Sequence, residues 1–82
     1  MFKQGDRIIG IDGSFKDETG VIYDYVYYIK LLNRRMLYYN SGIIKNLKNG
    51  KLFLILFDNK IFRIGTIFSP FYIVLPTSIK KI

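Results

Sequence analysis

The sequence predicts a single all-β domain over residues 1–82, built from five to six short antiparallel strands with room for one short helix near residues 29–40. Two observations carry this reading. Runs such as "GVIYDYVYYI" and "KLFLILF" are rich in β-branched and aromatic residues, which fit a pleated, half-buried surface. Between them stand turn signals at the spacing of a meander: Asn49-Gly50, Asp58-Asn59, Pro70 and Pro76.

A chain of 82 residues makes one small domain, which buries only about two thirds of its unfolded surface. It has no cysteine and no histidine. Disulfide frameworks, zinc sites of the usual ligands and thiol or imidazole catalysis are therefore excluded, and the stabilisation falls to apolar burial. Half the residues are hydrophobic and 17% aromatic, far above a disordered composition.

Asp6 to Ile11 reads as the first strand, with apolar Ile8, Ile9 and Ile11. A loop from Asp12 to Thr19 follows, polar except for Phe15. From Gly20 the next strand poses a conflict. Strict alternation puts Val21, Tyr23, Tyr25, Tyr27 and Ile29 on one face and Ile22, Asp24, Val26, Tyr28 and Lys30 on the other. If Ile22 points inward, Asp24 is buried and three tyrosines form an exposed stacking platform. The cost of burying an unpaired carboxylate favours the tyrosines inward, or a bulge that changes phase.

"IKLLNRRMLYYNSG", Ile29 to Gly42, supports two readings. Leu31, Leu32, Arg35, Met36 and Tyr39 have helical spacings with an end near Asn40 to Gly42, while Asn33-Arg34 suits a hairpin turn. Strands are the favoured reading. Asn49-Gly50 predicts a type I′ hairpin with Lys48 opposite Lys51 and Leu47 opposite Leu52. The strand that follows ends at Phe57 and alternates Leu52, Leu54 and Leu56 with Phe53, Ile55 and Phe57, so both faces are apolar. A cover for its second face is expected from a helix at 29–39, a second copy of the chain (a homodimer) or another protein. Asp58-Asn59 turns into "KIFRIGTIF", and "FYIVL" between Pro70 and Pro76 reads as an edge strand.

Laid out as "GDRIIGIDGSFKDETGVI", Gly5 to Ile22 resembles a KOW motif, the strand-loop-strand unit of SH3-like barrels in ribosomal proteins and NusG-type transcription factors. The matching positions are Ile8 and Ile11, Gly13 with Phe15-Lys16, and Gly20-Val21-Ile22. "LFLILFDNK" is similar to the central hairpin of small SH3-like proteins. The resemblance implies an SH3-like barrel, a Phe15 that folds back onto it, and binding of RNA or protein. Two positions depart from the pattern. Asp17 stands where a glycine usually follows the Phe-Lys pair, and Gly10 where a core aliphatic is usual.

The formal charge of +7 points to an acidic partner. No activating motif surrounds the remaining nucleophiles, and Asp12, Asp17 and Glu18 do not match a calcium loop, so neither catalysis nor a cofactor or metal is expected. The expected function is a binding module for nucleic acid or a nucleic-acid-associated complex. Lys16, Arg34, Arg35, Lys45, Lys48, Lys51, Lys60 and Arg63 are the candidate phosphate contacts, and Tyr23, Tyr25, Tyr27, Phe53 and Phe57 the candidates for stacking or partner contact. Lys16 has acidic neighbours, which makes its loop a poor phosphate cradle. A second expectation is a phage or mobile-element inhibitor of a host defence enzyme, of the anti-CRISPR type. Its motives are the small size, the doubly apolar strand and a composition about half Ile, Lys, Asn, Tyr and Phe, residues of AT-rich codons. No leader and no membrane span is read, since the longest uncharged run, Ile64 to Ile79, is too short and holds two prolines. A cytoplasmic location is expected.

Overall fold

The computed structural model describes residues 2–35, 41–64 and 67–82. Among these residues the protein is mostly β, with seven strands in two sheets and two α-helices. Strands β1 (Arg7–Gly10), β2 (Thr19–Tyr23), β3 (Phe53–Phe57), β6 (Phe71–Val74) and β7 (Ile79–Lys81) form an antiparallel sheet in the order β6-β3-β2-β1-β7. Between β3 and β6, β4 (Phe62–Ile64) and β5 (Ile67–Ser69) form a separate two-stranded hairpin. The last strand pairs with the first, but β6 and β7 do not pair with each other, so the barrel is not closed.

Residues directly opposite in a ladder share a face, and the registers sort the side chains cleanly. Ile8, Ile22, Ile55, Phe57, Val74 and Ile79 line the inner face, where they make one core with Phe15 and Phe62. Ile55 sits at its centre with no exposure. Phe15, in a 3-10 turn at Gly13–Phe15, folds back against Phe57 and Tyr72 with ring centroids 5.7 and 6.1 Å apart. This anchors the β1-β2 loop. Asp17 completes the loop with φ +67°, the left-handed region that side chains disfavour and Asp tolerates best after Asn and Gly. Asp17→Gly is therefore expected to raise stability by up to about 1 kcal/mol, and Asp17→Val to lower it by at least about that much, as read by urea unfolding.

The strand from Gly20 stops at Tyr23, where the sequence reading carried it to Ile29. Ile22 points inward and Tyr23 outward, so the tyrosines are not a core stripe. The conflict over Asp24 is resolved by ending the strand there. Its Oδ1 accepts the Val26 N–H at 2.9 Å, and its carbonyl accepts the Tyr27 N–H at 3.1 Å, which together start helix α1 (Val26–Arg35). A capped helix needs no buried carboxylate. The favoured strand reading of 29–42 is thus corrected over 29–35, the Asn33-Arg34 turn included, and at Ser41 and Gly42, which open a second helix where the sequence reading placed a helix end near Asn40 to Gly42; residues 36–40 lie outside the described residues.

The Asn49-Gly50 hairpin is corrected as well. Residues Ser41–Lys48 form helix α2, which buries Ile44 and Leu47 one turn apart. Gly50, at φ +79°, ends it in the manner of a helix C-cap: the Lys51 and Leu52 N–H groups both return to the Asn46 carbonyl, at 2.9 and 3.1 Å. Lys48 and Lys51 are therefore not a cross-strand pair. The second face of β3 is covered inside the chain at Leu54, while Leu56 on the same face is half-buried. Leu54, on the outer face, is buried outside the main core, and Leu47 of α2 lines a cleft with it.

One end of the sheet is tied by charge. The Arg7 guanidinium makes a two-pronged ion pair with Asp58, whose Oδ2 also accepts the Thr19 hydroxyl at 2.7 Å, so one carboxylate joins β1, β2 and the end of β3. Arg7 first and Thr19 second lower the Asp58 pKa from its ordinary 3.8 to about 2. A carboxyl with a depressed folded-state pKa contributes stability above its unfolded pKa and loses it as pH falls through the folded one. The wild type is therefore expected to lose stability between pH 3.8 and about 2. Asp58→Asn is expected to be less stable at neutral pH, to show a flatter slope in that window, and to converge on the wild type near its lower end, as measured by thermal melts across pH.

Candidate nucleic-acid interface

The segment inserted between β2 and β3 carries Lys30, Arg34, Arg35, Lys45, Lys48 and Lys51, and its one acidic residue is Asp24 at its start. Asp24 caps α1, and the other acids lie elsewhere: Asp12, Asp17 and Glu18 sit in the β1-β2 loop, Asp58 pairs with Arg7, and Asp6 pairs with Lys81 Nζ at 3.2 Å and accepts the Lys3 N–H at 2.9 Å. Those contacts hold the Asp6 carboxyl below its usual range, the Lys3 hydrogen bond contributing most. The insertion is thus a cationic arm on a sheet whose negative charge is largely paired or remote.

Helix α2 organises part of that charge. With Ile44 and Leu47 buried, Lys45 and Lys48 project from the exposed side, and Lys51 follows, also exposed. On α1, Lys30 is exposed while burial pushes the Tyr28 hydroxyl up in pKa, so that helix too has a wet and a dry side. Arg34 and Arg35 occupy its last turn, with side chains outside the described residues.

The other candidate cations are not part of this arm. Lys16 is exposed beside Asp17 and Glu18 in the β1-β2 loop. Lys60 lies half-buried with its Nζ 6.0 Å from the Phe62 ring centroid. Arg63 is exposed on β4, opposite Phe68 of β5.

The aromatic candidates separate into surface and core. Tyr23 (40% exposed) and Tyr27 (39%) come together from β2 and α1, their centroids 5.7 Å apart, and meet Phe71 of β6 at 5.1 and 4.6 Å. Tyr25 is half-buried and lines the cleft beside Leu47. Phe53 is half-buried, its ring edge-on to Phe2 at 5.6 Å. Phe57, 2% exposed, belongs to the core and has no ring face to offer, which corrects its place among the contact residues. Phe71 was missed by sequence reasoning, because its partners lie about 45 residues away and only the β3-β6 register brings them near.

No helix among the described residues is long and apolar enough to cross a membrane. Comparison with protein families, curated proteins and solved structures finds no match to this chain.

Proposed function

We propose that this chain is a small non-catalytic binding module of the SH3-like, KOW-containing kind, and that its cationic insertion holds nucleic acid. The observation that carries the reading is the segregation of six Lys and Arg in the segment between β2 and β3, against the single acid Asp24 at its start. A surface of one sign attracts phosphates and raises association rates. Four features support the barrel assignment: pairing of the last strand with the first, a 3-10 turn (Pro76–Ser78) before that last strand, the buried Phe15, and positive φ at both Gly13 and Asp17. Asp17 keeps the backbone shape that the motif's usual glycine serves. The reading sets the place of action in the cytoplasm.

One observation favours a second reading, contact with an acidic protein surface, as in an inhibitor of a host defence enzyme carried by a phage or mobile element. The β4-β5 region exposes Ile61 (60%) and Phe68 (70%) beside Arg63. Oligonucleotide binding measured against salt separates the two. The first reading expects affinity to fall steeply with salt and to depend on the arm; the second expects weak oligonucleotide binding that is indifferent to it.

A further inference from the structure

A cleft of about 170 Å³ opens at the root of the cationic arm, lined by Gln4, Tyr23, Asp24, Tyr25, Leu47 and Leu54. Resting on the nucleic-acid reading, we propose that this cleft seats one base of a single-stranded nucleic acid while the flanking phosphates stay at its rim.

The chemistry of the lining decides which part of a nucleotide enters. The Asp24 carboxylate repels a phosphate, so the anionic backbone stays outside. A base is neutral, and it meets apolar Leu47 and Leu54, the Tyr23 and Tyr25 rings, and polar atoms suited to its edge. Gln4 offers both a donor and an acceptor. Asp24 spends Oδ1 on the Val26 N–H, and Oδ2 makes no hydrogen bond among the described residues, which leaves an acceptor for a base N–H. The volume lies below the roughly 300–1,000 Å³ that encloses a drug-sized ligand, so it suits a ring rather than a whole nucleotide.

The rim carries the matching charge. Lys48 follows Leu47 in the chain, and Lys51 precedes Leu52, which also lines the cleft; both lysines are exposed. Tyr23 faces the cleft and also joins the Tyr27 and Phe71 cluster, so a second aromatic surface continues outward from the first. Bases in a duplex are paired and stacked and cannot enter unless flipped out. The site therefore selects single strands.

The test is fluorescence anisotropy with three labelled probes: a mixed-sequence single strand of about 12 nucleotides, within the site sizes of small single-strand-binding folds, the same sequence as a hairpin duplex, and an abasic strand of equal length. The single strand is expected to bind at least about tenfold tighter than either of the others, and Tyr23→Leu, which keeps apolar bulk on β2, to lose about tenfold for the single strand alone. The wild type supplies a variant-free readout, because its fluorescence comes from seven tyrosines with no tryptophan. The unlabelled single strand is expected to quench it and the abasic strand to leave it unchanged. Equal, salt-sensitive binding of all three probes, with no differential quenching, overturns the base site and leaves the cationic-arm reading standing. Absence of binding to every probe at low salt overturns both.

Discussion

Gly20→Ala and Gly10→Ala are each expected to unfold the protein or leave it barely folded at 25 °C. At Gly20 the strand β2 runs so close to β3 that an added Cβ would lie 2.6 Å from the Leu56 carbonyl oxygen and 2.8 Å from Ile55 Cγ2. Neither neighbour can yield easily. Leu56 is held by backbone pairing on both sides, to Val21 and to Phe71, and Ile55 is at the centre of the core. At Gly10 the added carbon would drive into the Phe15 carbonyl and come 2.7 Å from its ring Cδ2, expelling the side chain that anchors the β1-β2 loop. Overpacking costs about 1–3 kcal/mol and more where backbone must move. A domain of this length has only about 4–12 kcal/mol in total. Gly5→Ala is the control: its Cβ meets nothing, so only the positive φ of +92° is charged against it, about 1–2 kcal/mol. Cooperative melts like the wild type for Gly10→Ala and Gly20→Ala would contradict this packing.

These two glycines also show what the sequence makes legible. β1, the loop, the start of β2, β3 and β6 are written as short alternating or apolar runs between turn residues, and the edge position of β6 follows from Pro70 and Pro76. The two helices are hidden by conflicting local signals. Val26 to Ile29 are β-formers placed in a helix by the Asp24 cap and by burial of Tyr28, an override of propensity by tertiary packing. Asn49-Gly50 demands a positive φ, and Gly50 has one, but a helix C-cap satisfies that demand as well as a hairpin does. Ile44 and Leu47, one turn apart, were the signal that distinguishes them. The site was half legible for the same reason. Its lysines and tyrosines can be named from the sequence. Their gathering cannot, because it depends on the insertion being helical and on Phe71 lying beside Tyr23 and Tyr27.

The triple variant Lys45→Glu, Lys48→Glu, Lys51→Glu is expected to lose about 100-fold or more in oligonucleotide affinity at roughly 0.1 M salt. These three residues are exposed and none makes an ion pair among the described residues, so the fold is expected to stay intact, with the charge reversals at Lys45 and Lys48 in the last turn of α2 costing about 0.5–1 kcal/mol each against the helix dipole. The loss then reports the interface and not the fold, and a circular dichroism spectrum that matches the wild type at the assay temperature establishes that. Lys16→Glu, in the acidic β1-β2 loop, is expected to change affinity little.

The most direct measurement is the slope of log affinity against log salt for the wild type and this triple variant on one labelled single strand. If the six cations of the arm each neutralise a phosphate, the wild-type slope is about −4 and the variant's falls to about −2 or shallower. Identical slopes and affinities for the two proteins would contradict a role for the arm, and would turn attention to Arg63 and Phe68 on the β4-β5 hairpin as the face that meets a partner.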